Sequence, residues 1–321
     1  MRTARKLLRT VLLATFAVAV LAPASAAYAS PSAGSLQQQI DAQNNALEKV
    51  IEQYNKITIL LQQGQAAQAR TQTQVQAQQA SVDAAANDVG KLAAAAYKRG
   101  PLNSLNALLQ AGSPQTFIDQ LTSLDQAARS RNKQLSTFRQ ARTRYQTDKR
   151  QLDQQVAAQL AQQKQLAGQK TQINAQLAHL NSLMAQAGVK RSGPTAPPRN
   201  IPYFPGKAGI AVKFAYSQIG AQYHWGAAGP YKVGYDCSGL TMAAWSRAGV
   251  SLPHNADMQY HSMAHISRSQ LKPGDLVYYN GLGHVAIYVG NGQVIHAPHS
   301  GTTVQLASIN IDSLYGYGRP S

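Results

Sequence analysis

Cysteine is almost missing from this chain: Cys237 is the only one in 321 residues. A lone thiol excludes an internal disulfide, so it is either free or an intermolecular link. Acidic residues are scarce as well, 13 against 30 Lys and Arg, which gives a formal charge of +17. That balance points to an anionic partner, whether nucleic acid, a lipid surface or an acidic polymer. Residues 30–190 hold no Trp, whereas Trp225 and Trp245 both lie in the last third. Beyond the first thirty residues no apolar run reaches the ~20 residues that a membrane span requires.

What is present begins with an export pattern. Arg2, Arg5, Lys6 and Arg9 precede an apolar run from Thr10 to Leu21, and Ala24-Ser25-Ala26 and Ala27-Tyr28-Ala29 are small-residue cleavage motifs. We expect residues 1–29 to be a signal peptide and the mature chain to be secreted or held in the cell envelope. Export removes nucleic acid as a partner and leaves anionic wall polymers or membrane lipids. Residues 200–321 carry seven Lys/Arg and four Asp/Glu, so most of the positive charge sits on the segment before them.

That segment, residues 30–187, is rich in Gln and Ala and has a heptad pattern. One core position runs through Ile40, Leu47, Tyr54, Leu61, Val75, Val82 and Val89, the other through Leu36, Val50, Ile57, Ala85 and Leu92. A second register runs through Phe117, Leu121, Leu124, Leu135, Phe138, Tyr145, Leu152, Val156, Leu166, Ile173, Leu177, Leu180 and Met184. Gly64, Gln68, Thr71 and Gln78 interrupt the first seam, so it is expected to be weak. Arg99-Gly100-Pro101 ends the first helix. Residues 102–112, with Leu102, Leu105, Leu108 and Leu109, read as a short amphipathic helix at the bend. The expectation is a long antiparallel coiled-coil hairpin with an apolar tip. Residues 188–206, with five prolines, form a linker, and residues 207–321 are expected to fold as a separate catalytic domain.

The chemistry-bearing residues lie there. Asp236-Cys237-Ser238-Gly239-Leu240 leads into a helix pattern, which puts Cys237 in a first helical turn, where unsatisfied N–H groups favour thiolate over thiol. Taken alone, such a Cys is as readily a small buried hydrophobe. Further on, Leu276–Tyr279 and His284–Gly290 read as strands, and Asn291-Gly292 as a hairpin turn into Gln293–Ala297. His284 opens one strand and His296 lies in the next, so one imidazole can orient the other. A nucleophile on a helix N-terminus with a base and an orienting group on strands is the arrangement of thiol peptidases. His261 and His265 are four apart, but no Cys or acidic cluster joins them, so no metal site is expected.

The ordered set Tyr-x-Trp-Gly, Asp-Cys-Ser-Gly-Leu, Pro-Gly-Asp-Leu-Val, Gly-His-Val-x-Ile-Tyr-x-Gly and Ile-His-Ala resembles the NlpC-type cell-wall cysteine peptidases over about residues 203–321. The resemblance implies an α+β, papain-like fold. It implies Cys237 as nucleophile, His284 as general base and His296 as the third, orienting residue. Tyr223 would serve the oxyanion site with the Cys237 N–H, and Asp236 and Ser238 would line the substrate cleft. It further implies hydrolysis of peptidoglycan stem peptides between D-glutamate and the diamino acid, with no cofactor. Two departures concern the cleft wall: Ala227 stands where a second Gly is more usual, and Pro253-His254-Asn255 replaces Pro-Arg-Thr/Ser. The hairpin is similar to regulatory coiled coils of wall hydrolases driven by a membrane division complex of the FtsE/FtsX type, and a weak coil of this kind could hold the cleft closed. An amidase or acyl transferase with the same Cys–His pair, or a non-catalytic wall-binding scaffold, are the other readings.

Overall fold

The computed structural model describes residues 33–99, 113–188 and 193–321. The expected signal peptide and the expected tip helix at 102–112 lie outside the described residues.

Two helices form the first unit, α1 (Ala33–Arg99) and α2 (Pro114–Gln186). At 1.5 Å per residue they are about 100 and 110 Å long. Ser113 starts α2 with a reciprocal capping box to Thr116, and Pro114 occupies the first turn, where its missing N–H costs nothing. The helices run antiparallel: residues 36–51 pack against 173–184, Gly64 lies beside Gln159, and Gln74 and Gln78 both donate to Asp148. Packing is uneven along the pair. Leu36, Ile40, Leu47 and Ile51 are buried against Ile173, Leu180, Leu183 and Met184 at the base. The predicted seam residues Phe117, Leu121 and Leu124 are instead 39–44% exposed. Polar Gln, Thr and Gly at core positions in the middle leave little apolar area to exclude water there, so among the described residues the buried apolar seam lies at the base.

Residues 193–205 lie along the second unit without regular structure, with Thr303 Oγ1 donating to the Pro194 carbonyl at 2.8 Å. Then follow α3 (Gly206–Ser217), α4 (Cys237–Arg247) and the short α5 (Ala256–His261). Six strands come next: β1 (Ala264–Ile266), β2 (Leu276–Tyr279), β3 (His284–Gly290), β4 (Gln293–His296), β5 (Gln305–Ser308) and β6 (Leu314–Arg319). They form one antiparallel sheet in the order β1-β6-β2-β3-β4-β5. The architecture is the expected one in outline, an α+β domain behind a long antiparallel helical hairpin.

Alternation along the central strands sorts the core. Leu276, Tyr278, Val285, Ile287 and Ile295 face Ala211, Val212 and Ala215 of α3 and Leu240, Ala244 and Trp245 of α4. Val277, Tyr279, Ala286 and Val294 face the other side, under Ile309 and Tyr317. The Asn291-Gly292 turn has positive φ at both residues (53° and 68°), as a two-residue hairpin between right-twisted strands requires. The Pro-Gly-Asp turn has a structural job: Asp275 accepts the Lys272 N–H and two bonds of 2.6–2.7 Å from Arg319, fastening β2 to the end of β6.

Leu240 is fully buried between α4 and the sheet. Leu240→Ala is expected to cost about 2–5 kcal/mol in the denaturant-induced transition of this unit, the range for a buried leucine that leaves a cavity.

Candidate active site

The Asp236–Leu240 motif folds as it does for local reasons. Asp236, with no exposed surface, caps α4 by accepting the Gly239 N–H at 2.7 Å through Oδ1. The same oxygen lies 2.7 Å from His254 Nε2, and Oδ2 accepts the Gly226 N–H at 2.8 Å. Position 239 has no room for a side chain. A Cβ there would lie 2.2 Å from the Ala227 carbonyl oxygen and 2.8 Å from both Asp236 and His254, hence glycine. The result is Cys237 held rigidly at the first residue of α4 and 2% exposed.

His284 begins β3 opposite Tyr279, and its Nε2 lies 2.9 Å from Nδ1 of His296 at the end of β4, the rings edge to face. Burial first, then the charges of His284 and His299, hold His296 well below the usual imidazole value. A neutral His296 that accepts through Nδ1 from His284 carries its own proton on Nε2, and it fixes the His284 ring with Nδ1 turned away from the strand pair. Tyr223 is buried nearby. Burial, followed by the charges of Glu48 and Cys237, raises its phenol far enough that it stays a donor. The predicted residues Cys237, His284, His296, Tyr223, Asp236 and Ser238 therefore converge on one cleft. His261 and His265 do not join it: His265 stacks on Tyr260, and the two rings are 6.5 Å apart. Among the described residues no group of three or more His, Cys, Asp or Glu could hold a metal.

The cleft is filled by α1. Glu52 is the centre of this contact. Its Oε1 accepts from Ser238 Oγ at 2.6 Å and lies 3.6 Å from the Cys237 sulfur. Its Oε2 accepts from Asn255 Nδ2 at 2.7 Å and the Ala256 N–H at 2.6 Å. One turn earlier, Glu48 Oε1 lies 3.2 Å from His284 Nδ1, at ion-pair distance though off-line for a hydrogen bond. One turn later, Asn55 Nδ2 donates to Asp236 Oδ2 at 3.1 Å. Tyr54 packs edge-on against Trp225, and Lys56 pairs with Asp257. Among the described residues Cys237 and His284 share no hydrogen bond; each is engaged by a glutamate of α1 instead. Sequence reasoning missed both glutamates, although a signal was there. They are the only two Glu residues in the chain, and they stand one helical turn apart.

The electrostatics follow from that contact. Burial, then Glu52, Glu48 and Asp236, push the Cys237 thiol well above its ordinary 9.0, and a hydrogen bond from the Val285 backbone offsets only part of this. The helix terminus was expected to lower this value. Desolvation and three carboxylates outweigh it, because burial acts on the charged thiolate directly. Burial pulls His284 down, but Glu48, with Asp312 and Glu52 behind it, reverses that and leaves it raised. His254 is likewise lowered by burial and raised overall by Asp236 and Glu52.

Residues 220–316 match the NlpC/P60 family. This segment is an NlpC/P60 domain. It is 43% identical over 107 residues to the probable endopeptidase p60 of Listeria monocytogenes, a match covering 32% of this chain and 20% of that protein. The peptidoglycan endopeptidase RipA of Mycobacterium tuberculosis is 40% identical over 119 residues, covering 33% of this chain and 25% of RipA. A probable endopeptidase of M. tuberculosis is 28% identical over 277 residues, 69% of this chain and 71% of that protein. Among solved structures, the P60 domain of a M. avium subspecies paratuberculosis antigen is 31% identical, covering 35% of this chain and 92% of that one, with a TM-score of 0.33. The chain thus spans a fifth to a quarter of the length of two of these relatives and about 70% of the third.

Two measurements follow. Glu52 rises from 4.5 to about 7 when docked, through burial first and then Asp236. A raised value means that the docked state prefers the protonated acid. Docking is therefore strongest below about pH 4.5 and weakens as pH climbs through about 7. His284, raised chiefly by Glu48 of α1, pushes in the same direction. Emission of Trp225, which touches Tyr54 only while α1 is docked, should change between pH 5 and 8, and Glu52→Gln should remove most of that change; identical profiles would contradict the linkage. Alkylation of Cys237 in the full chain should be slow at pH 8 and faster by an order of magnitude or more in Glu48→Ala/Glu52→Ala, since both carboxylates disfavour the thiolate.

Proposed function

We propose that this protein is a secreted peptidoglycan hydrolase that cleaves stem peptides at the γ-D-glutamyl–diamino acid bond, and that α1 holds it inactive. Cys237 attacks the scissile carbonyl, and the Cys237 N–H and Tyr223 hydroxyl hold the oxyanion. His284, oriented by His296, passes the thiol proton to the leaving nitrogen. The thioester then hydrolyses as His284 takes a proton from water, returning the thiol and a free acid.

The observation that carries the bond assignment is the cradle around Glu52. Ser238 Oγ, Asn255 Nδ2 and the Ala256 N–H converge on one carboxylate beside the Cys237 sulfur. A glutamate joined through its γ-carboxyl leaves its α-carboxylate free a few atoms from the scissile bond, where an ordinary α-peptide has none. Glu52 fits as a stand-in for that group. The likeness to relatives named peptidoglycan endopeptidases supports the substrate class.

The same contact supports the regulatory reading. While α1 is docked, substrate and Glu52 require the same donors, and the two halves of the catalytic pair are kept on separate carboxylates. A membrane partner, of the FtsE/FtsX division type or another, would activate the enzyme by drawing the hairpin off the cleft. Cell-envelope localisation belongs to this reading.

Two variants test it on purified peptidoglycan. Cys237→Ala should release no stem-peptide fragments while keeping the thermal transition of the parent. Glu48→Ala/Glu52→Ala in the full chain should release them at least tenfold faster than the parent. Release by Cys237→Ala would sink the mechanism, and equal rates for the double variant and its parent would sink the autoinhibition.

A further inference from the structure

Past His284 the cleft does not end. It continues beneath the N-terminal part of α1 into a cavity of about 410 Å3, with His296, His299 and Asp312 on the peptidase wall and Asp41, Asn44 and Glu48 on the helix. On the wall that remains when α1 leaves, His296 is more than nine-tenths buried and its Nε2 has no partner. A buried polar atom without a protein partner calls for a polar partner from outside the domain. The charge is equally unusual. In a chain with more than twice as many basic as acidic residues, three carboxylates line this cavity and no Lys or Arg does.

Of the three, Asp312 alone belongs to the peptidase unit and stays when α1 leaves. It is held in place: Oδ2 accepts from Asn280 Nδ2 at 2.8 Å, and Oδ1 accepts the Ser313 N–H at 3.2 Å. Among the described residues no cationic side chain pairs with it. Its charge is felt at His284.

The proposed reaction fixes which end of the cleft this is. The leaving nitrogen must receive its proton from His284, so the amine product departs on the His284 side, and the carboxylate cradle at Ser238 and Asn255 lies on the acyl side. Along α1 the order is the same: residues 41–48 over the cavity, Glu52 over the cradle. The cavity is where the leaving diamino acid would sit. That residue brings a backbone carbonyl, an acceptor suited to the His296 Nε2–H, and a second amine at the end of its side chain. The second amine is an ammonium when free and a neutral amide when acylated in a cross-link.

We propose that Asp312 is a specificity-determining residue that binds the free side-chain ammonium of the diamino acid on the leaving side, so that the enzyme prefers stems whose second amine is not acylated. This rests on the endopeptidase reading above. An oriented carboxylate with no cation of its own gains a charge-assisted bond with an ammonium and nothing comparable with an amide.

The test uses the full chain carrying Glu48→Ala/Glu52→Ala and two γ-D-glutamyl-lysyl peptides, one with the lysine side-chain amine free and one with it acetylated. The free-amine peptide should be cut with a kcat/KM higher on the order of tenfold, mostly through KM. Adding Asp312→Asn should bring the ratio of the two close to one, and Asp312→Glu should keep it well above one. Equal rates on the two peptides before Asp312 is changed, or a ratio that survives Asp312→Asn, would overturn the assignment. Cleavage of neither peptide would instead refute the endopeptidase reading and take this proposal with it.

Discussion

A single buried carboxylate organises the relation between the two halves of this molecule. Glu52 lies in the cleft of the NlpC/P60 domain with partners on both oxygens, supplied by Ser238, Asn255, Ala256 and the sulfur of Cys237. A carboxylate taken out of water is costly unless it is fully hydrogen-bonded, and this one is, so burial and bonding oppose each other closely. The contact is strong enough to seat a helix, yet it responds to protonation and to competition from another acid of similar shape.

The hairpin supports that contact by using α1 on two faces. Leu36, Ile40, Leu47 and Ile51 pack toward α2, while Glu48, Glu52 and Asn55, spaced by one helical turn, point into the cleft. The best-packed part of the helical pair is therefore the part that lies over the peptidase, and the pair loosens with distance from it. Stability is concentrated where occlusion needs it.

Much of the peptidase was legible in the sequence, because its motifs are local. Asp236 caps the turn that carries Cys237, Asn291-Gly292 fixes the register that brings His296 to His284, and strand alternation sorts the core. The hairpin was legible from its period of 3.5, though Phe117, Leu121 and Leu124 show that a heptad position is not by itself a buried one. The docking of α1 was not legible in the same way. It joins residues about 180–235 positions apart in sequence, and no periodicity encodes such a contact. The two lone glutamates and the Asn255 that replaces a more usual Thr or Ser were the residues to notice. Asn255 offers two N–H bonds, to the side chain and the backbone carbonyl of Glu52, where a hydroxyl offers one. Nor could the sequence reveal that the thiol would be pushed up, since the burial and the two α1 carboxylates that outweigh the helix-terminus effect are brought there only by the fold.

The continuity of α1 has a mechanical consequence. From Glu52 to Arg99 the helix runs unbroken for about 70 Å, so the occluding side chains cannot swing aside one at a time. Whatever frees the cleft has to tilt or slide a stiff beam, and a modest pull at the distal end would act through a long arm on a few ångströms of contact at the base. The beam thus ties these side chains together, so that displacing any one of them from the cleft displaces them all.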